Sequence, residues 1–275
     1  MVPAMTRAAI FLFAILFALP VAAAPKADLW PRFAAHDEAS TATVDHAPWN
    51  RFLNTHVALG ADGVARIPYA KIPAADKAAL GAYVGRLAAI KVTGLPRAEQ
   101  RAYWINLYNA LTVKVVLDHY PVDGIKDIRI SPGFFSSGPW GKKLLKIEGE
   151  DVSLDDIEHR ILRPVWKDPR IHYAVNCASL GCPNLPPEAF TAANTERLMD
   201  AAARAYVNHP RGVRRSGDAV RLSSIYDWFR DDFGKDKTAL FGHLAAFAAP
   251  GLKEFLSTGP AVDGYDYDWS LNDAR

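Results

Sequence analysis

Cysteine and net charge are both scarce in this sequence. Only two cysteines occur in 275 residues, and 32 Lys and Arg against 30 Asp and Glu leave a formal charge of +2, with the basic residues scattered. A balanced, dispersed charge lacks the electrostatic footprint that a polyanion requires, so no nucleic-acid partner is expected. No Gly-rich phosphate loop and no dinucleotide fingerprint occurs, and Ser179-Leu180-Gly181 lacks the glycine on both sides that a nucleophile elbow needs. No cofactor is therefore expected. Also missing are a Pro/Ser/Gly-rich linker, a low-complexity tract and an internal repeat, which leaves a single domain as the simplest organisation.

One long apolar run is present, and it stands at the N-terminus. Arg7 precedes Ala8 to Leu19, followed by Pro20 and by Ala22-Ala23-Ala24 ahead of Pro25. A basic flank, a short apolar stretch and small residues at a cleavage site read as a secretory signal peptide over residues 1–24, with an uncleaved anchor as the rival reading. No cysteine follows the run, so a lipoprotein anchor is not supported. No other stretch approaches the roughly 20 apolar residues of a membrane helix. The expected product is one globular domain, residues 25–275, in the periplasm or secreted, and off the membrane.

Half of the residues are hydrophobic and 23% are charged, enough to bury a substantial core. Helical spacing appears in Trp49, Phe52, Leu53 and His56 and again from Ala74 to Ile90. From Pro96 to about Tyr120 apolar residues occupy every face, which predicts a buried central helix stopped by Pro121. Short strands are expected at Ile125–Ile130, Lys142–Ile147, Asp151–Val152, Arg170–Val175, Val213, Val220–Leu222 and Tyr265–Tyr267. Ser153 with Asp156 has the form of a capping box, opening a helix that ends before Pro164. Further helices are expected over Asn194–Asn208, over Ser224–Phe233 closed by Gly234, and over Thr238–Ala248. The pattern is α+β: a mostly helical single domain with a small, mainly antiparallel sheet and a buried central helix.

Chemistry concentrates between Asp168 and Pro183, where both cysteines lie. In an oxidising compartment Cys177 and Cys182 can close a local disulfide. Three other readings stay open: Cys177 as a nucleophile with His172 or His159 taking its proton, a dithiol that cycles with its disulfide, or a metal held by His172, Cys177 and Cys182. Asp155 and His159 are four apart and can pair on one helical face. Asn106 and Asn109, three apart on the central helix, either stitch it to a neighbour or present amides to a carbonyl oxygen. Phe134 to Trp140 is an aromatic loop that plugs the core or lids a pocket.

Four blocks carry a resemblance: Tyr103-Trp-Ile-Asn106-Leu-Tyr-Asn109-Ala, Ser153 to Arg163, His172 to Pro183, and Tyr267-Asp-Trp-Ser-Leu-Asn272. Over about residues 96–272 the chain resembles the bacterial branch of the domain of unknown function 547 family. The resemblance implies that Asn106, Asn109, Glu158, His159, His172, Cys177 and Cys182 belong to one module. The expected site is a cleft with Cys177 as nucleophile, His172 as base, His159, Glu158 and Asn106 in support, and Asn109, Tyr103 and Trp140 as walls. An exported thiol hydrolase or acyl-transferase of the papain or transglutaminase kind is the first functional expectation, acting on amide bonds in a peptide or cell-envelope ligand. The alternative is a non-enzymatic binding or scaffold module with a Cys177–Cys182 disulfide.

Overall fold

The computed structural model describes residues 25–133 and 136–274, so the expected signal segment 1–24 and the loop residues Phe134 and Phe135 lie outside the described residues. The chain begins extended, passes a 3-10 turn at Pro31–Ala34, and forms α1 (Ala47–His56), the hairpin of β1 (Ala58–Leu59) and β2 (Ala65–Arg66), and α2 (Ala74–Ala88). It then forms α3 (Arg97–His119), the expected central helix, along which every residue from Gln100 to Leu117 except Lys114 is buried. Pro121 ends it as anticipated, with Tyr120 already extended.

Next comes the hairpin of β3 (Leu145–Ile147) and β4 (Glu150–Val152), closed by Glu148 and Gly149 at φ of 48° and 87°. Asp156–Leu162 winds with i→i+5 bonding and runs into α4 (Arg163–Trp166). The expected capping box forms, with Ser153 N donating to Asp156 Oδ2 at 2.8 Å and Asp156 N to Ser153 Oγ at 3.2 Å. Contrary to expectation the helix continues past Pro164. Proline has no N–H for the carbonyl of Arg160, and that oxygen instead accepts from Trp30 N at 2.9 Å, while His159 O accepts from Asp28 N at 3.0 Å. The extended N-terminal segment thus satisfies what the proline leaves open.

The segment expected as a strand at 170–175 is instead the single turn α5 (Ile171–Ala174), because Asp168-Pro169 forms a helix start, with Arg170 N donating to Asp168 Oδ1 at 2.9 Å. Ile125–Asp127 is likewise a 3-10 turn rather than a strand, with Gly124 N bonded to Asp127 Oδ2 at 3.0 Å. The chain goes on through α6 (Thr195–Val207), β5 (Val213–Ser216), β6 (Ala219–Ser223), α7 (Ile225–Trp228), α8 (Arg230–Phe233), α9 (Lys237–Phe247), α10 (Pro250–Ser257) and β7 (Ala261–Asp266). The helix expected over 224–233 is broken at Phe229.

The fold is α+β, with its strands divided among three small sheets, two of them isolated hairpins and the third ordered β5-β6-β7. β5 and β6 are antiparallel, whereas β7 joins β6 in parallel. One hydrophobic cluster surrounds α3 and a second gathers α6, α9 and the three-stranded sheet. Among the described residues no helix is long and apolar enough to cross a membrane.

Candidate functional site

Both cysteines sit in a loop that leaves α5 and is closed at its base by one side chain. Asn176 Oδ1 accepts from Ala178 N at 2.8 Å and Asn176 Nδ2 donates to Pro183 O at 2.6 Å, so the two ends of the loop are clamped together. Ala178 takes the left-handed φ of 60°, folding the loop back on itself. The C-terminal segment pairs along it, with Leu180 N donating to Ser270 O at 2.8 Å, Gly181 N to Asp268 O at 2.8 Å and Asn272 N to Ala178 O at 3.0 Å. That pairing delivers Tyr267 to the sulfurs.

The two cysteines are free thiols in this structure. Cys177 N donates to Cys182 Sγ at 3.0 Å, and Tyr267 Oη lies 3.1 Å from each sulfur. Ser179 Oγ donates to Tyr267 Oη at 3.0 Å, which leaves the tyrosine proton for a sulfur. Burial works against a charge on Cys182, but the hydrogen bonds from Cys177, Tyr267 and Ser179 outweigh it and bring the thiol below its ordinary value. Cys177 moves the other way, raised by its bond to Cys182 and by burial. The backbone N–H of Cys177, aimed at Cys182 Sγ, favours charge on Cys182 rather than on Cys177, the expected nucleophile.

His172 is not the base of that sulfur. Its Nε2 lies 2.7 Å from Asp232 Oδ2, its Nδ1 lies 3.6 Å from Glu158 Oε1, and its ring stacks on Phe229 with centroids 4.1 Å apart. Burial would lower the imidazole, but the bonds to Asp232 and Glu158 outweigh it and raise it above its ordinary value, favouring the charged ring. Burial opposes the charge on Glu158, and His159, His172 and Arg163 together overcome it to keep the carboxyl at about 2. Asp232 is also held at about 2, where His172 and Arg163 override its burial.

His159 is the opposite case. Arg163 Nη1 donates to His159 Nδ1 at 3.1 Å and to Pro25 O at 2.7 Å, so the proton of the neutral ring is on Nε2, which faces Asp155 Oδ1 at 3.6 Å. Burial, helped by Arg163, takes this imidazole down to about 4. Burial and the repulsion of Glu158 and Asp156 raise Asp155 to about 6. Asp155 N is anchored to Trp140 O at 3.0 Å, which fixes the indole beside the acid.

These groups share one cleft of about 690 Å³, whose lining includes Asp155, Glu158, His159, His172, Cys177 and Cys182. Its apolar walls are Trp140, Trp228, Phe229 and Trp269, with Trp228 and Trp269 stacked at 5.5 Å. The break between α7 and α8 turns Phe229 inward against both imidazoles, 4.1 Å from His172 and 5.8 Å from His159. Lys126 Nζ caps the face of Trp269 at 4.0 Å.

Three expected residues lie elsewhere. Asn106 is fully committed to Phe190, donating to its carbonyl at 2.7 Å and accepting from its N–H at 3.0 Å. Asn109 bridges Ala174 O at 2.9 Å and Asn176 N at 2.8 Å, which suspends the cysteine loop from α3 without facing the cleft. Tyr103 turns away and donates to Leu87 O at 2.9 Å. A helix buried on all faces must satisfy its amides inside the core, so these residues stitch rather than line. Conversely Asp232, Arg163 and Tyr267 are functional groups that the chain pattern did not single out. Arg163 and Tyr267 carried a signal, as the end of the second resembling block and the head of the last, and Asp232 carried none. Among the described residues no three His, Cys, Asp or Glu side chains converge as a metal site.

The fold and site define an α+β protein with a thiol pair and a carboxylate-clamped imidazole in one cleft. Residues 92–207 match the family described as protein of unknown function, DUF547. Both cysteines, both cleft imidazoles and Glu158 lie inside the match, whereas Asp232 and Tyr267 lie beyond it. No curated protein and no solved structure matches the chain.

Proposed function

We propose that the protein is an exported member of the bacterial branch of that family, a thiolate enzyme that hydrolyses or transfers an acyl group held in an amide bond of a peptide or cell-envelope component. One juxtaposition carries the reading: Cys182 Sγ, which accepts from Cys177 N and meets Tyr267 Oη, shares a cleft with Asp155, whose carboxyl is raised by burial and by Glu158 and Asp156. Sulfur–sulfur exchange needs no such acid, but an amine cannot leave a tetrahedral intermediate without a proton. Cys182 attacks the carbonyl carbon, and the displaced electron pair goes to oxygen, for which Cys177 N–H and Tyr267 Oη–H, both beside the sulfur, are the donors at hand. Collapse breaks the C–N bond, and the amine takes the proton of Asp155. Water, or an acceptor amine, then attacks the thioester and gives its proton back to the Asp155 carboxylate. The indoles of Trp140, Trp228 and Trp269 supply the apolar surface that holds the substrate.

Export rests on the Arg7-flanked apolar run and the alanines before Pro25; N-terminal sequencing of periplasmic protein is expected to begin at Pro25 and a retained leader overturns it. For the chemistry, fully reduced protein is titrated with iodoacetamide and with peptide p-nitroanilides. Expected are Cys182 alkylation with a midpoint well below the ordinary thiol value and p-nitroaniline release with a thiolate limb on the acid side and an Asp155 limb, near pH 6, on the alkaline side. A midpoint at the ordinary thiol value of about 8.5 overturns the reading. A second reading, a scaffold module tied by a Cys177–Cys182 disulfide, is favoured by the closeness of the two sulfurs, and predicts thiols that alkylate at the ordinary value after reduction and release no p-nitroaniline.

A further inference from the structure

Acyl transfer uses one sulfur, yet the fold brings two to the same hydroxyl. Tyr267 Oη stands 3.1 Å from Cys177 Sγ and 3.1 Å from Cys182 Sγ, and Cys177 N reaches Cys182 Sγ at 3.0 Å. Asn176 holds the loop ends together through Ala178 N and Pro183 O, so no strand or helix has to part for the sulfurs to meet. Only one of the pair is well sequestered: Cys182 is 4% exposed, whereas Cys177 is half-buried, and both line the cleft. A single nucleophile needs no second thiol at its side, and a purely structural disulfide needs neither an open cleft nor a hydroxyl shared by both sulfurs.

We infer that Cys182 and Cys177 form a dithiol couple with a second activity, the reduction of disulfides that enter the cleft, in which Cys182 attacks and Cys177 resolves. The inference rests on the same Cys182 thiolate as the proposed acyl transfer. In the first step the Cys182 thiolate attacks one sulfur of a disulfide RSSR; the S–S bond breaks, RS⁻ leaves and is protonated by solvent, and a Cys182–S–S–R mixed disulfide remains. In the second, Cys177 loses its proton to water and attacks Cys182 Sγ; the bond to R breaks, and a second RS⁻ departs and is protonated. The substrate disulfide gains two electrons, and the cysteine pair gives them up on becoming a disulfide. The oxidised pair has no thiolate, so the same exchange turns acyl transfer off until an external thiol reduces it.

The experiment uses the full mature chain, reduced and freed of reductant, with oxidised glutathione as the probe, read by intact mass and thiol count. Wild-type protein is expected to lose two hydrogens and both free thiols with no lasting adduct. Cys177→Ser is expected to stop at one glutathione on residue 182, and Cys182→Ser to gain none at the same exposure; circular dichroism confirms that each variant is folded. A Cys177→Ser protein that accumulates no adduct, or a wild type that holds a stable adduct without closing its own disulfide, overturns the inference. Failures of the two readings separate cleanly. Cys182 that alkylates well below the ordinary thiol value but never closes a disulfide leaves acyl transfer standing alone, whereas a pair that exchanges but releases no p-nitroaniline leaves only the couple.

Discussion

His172 Nε2 meets Asp232 Oδ2 at 2.7 Å, a pairing between the turn α5 and the short helix α8 that spans 60 positions of sequence. With Glu158 at the other nitrogen, the ring joins two segments along the cleft wall. Removing Asp232 leaves His172, 4% exposed, with only Glu158 at 3.6 Å, and takes from Arg163 the carboxylate that its Nε meets at 2.6 Å. Asp232→Asn is expected to cost about 3 kcal/mol in denaturant unfolding. The pH dependence has a definite sign. His172 is raised, so its contribution is complete below the ordinary histidine value and fades as pH rises through the raised one. Asp232 and Glu158 are held at about 2, so their share is complete above the ordinary carboxylate range and fades as pH falls toward that value. The clamp is strongest in the interval between, at mildly acidic pH, and the stability gap between wild type and Asp232→Asn is expected to be widest there and to narrow on both sides.

Tyr267→Phe keeps the ring that packs on Trp228 at 4.8 Å and on Trp269 at 4.6 Å but deletes the hydroxyl shared by the sulfurs. A hydrogen bond to the charged form lowers a thiol pKa, so its loss raises it. The iodoacetamide midpoint of Cys182 is expected to move up by about one pH unit, equivalent to roughly 1.4 kcal/mol. Melting temperature should change little by comparison. A midpoint that stays in place would show that Cys177 and Ser179 stabilise the anion without the tyrosine.

The central helix, the capping box at Ser153, the β5–β6 hairpin and the long helices α2, α6 and α9 were legible from apolar period and punctuation. What escaped is local and has physical causes. The strand read at 170–175 depended on Ile, Tyr and Val, and one Asp-Pro start outweighed their preference over so short a span. The i→i+5 turn at Asp156–Leu162 leaves no apolar period of its own, and its freed carbonyls are matched by Asp28 and Trp30, more than 100 positions upstream. In the site, the sulfurs, both imidazoles, Glu158 and Trp140 were readable because they cluster in two short stretches. The roles were not, because the partners that decide them, Asp232 for His172, Arg163 for His159 and Tyr267 for Cys182, arrive through tertiary contacts. The spacing of Asn106 and Asn109 likewise showed a shared helical face and nothing about what that face meets.

Asn106→Ala separates stitching from catalysis. The substitution strands the N–H and the carbonyl of buried Phe190, both of which Asn106 pairs. An orphaned buried group costs about 1–3 kcal/mol, so a loss of about 3 kcal/mol in unfolding free energy is expected. The alkylation midpoint of Cys182 should be unaltered in the folded variant. A shifted midpoint with unchanged stability would return Asn106 to the chemistry.

Two glycine-to-alanine changes should act with opposite sign, and the contrast tests how tightly the C-terminal segment is held. At Gly181 an added Cβ would stand 2.8 Å from Asp268 N and 2.9 Å from Asp268 O, both backbone atoms that cannot rotate aside. The cysteine loop and the Asp268–Asn272 segment must part to admit it, which should cost about 1–3 kcal/mol as overpacking does and carry Tyr267 away from the sulfurs. Gly181→Ala is therefore expected both to lower the unfolding midpoint and to raise the alkylation midpoint of Cys182. At Gly85, inside α2, the same Cβ meets nothing within 4 Å. There alanine brings only its better helix propensity, worth up to about 1 kcal/mol, so Gly85→Ala should stabilise the fold and leave the thiol where it is. Thermal melts and iodoacetamide titrations of the two variants side by side read both signs, and a neutral Gly181→Ala would mean that the segment bearing Tyr267 is not fixed by this close approach.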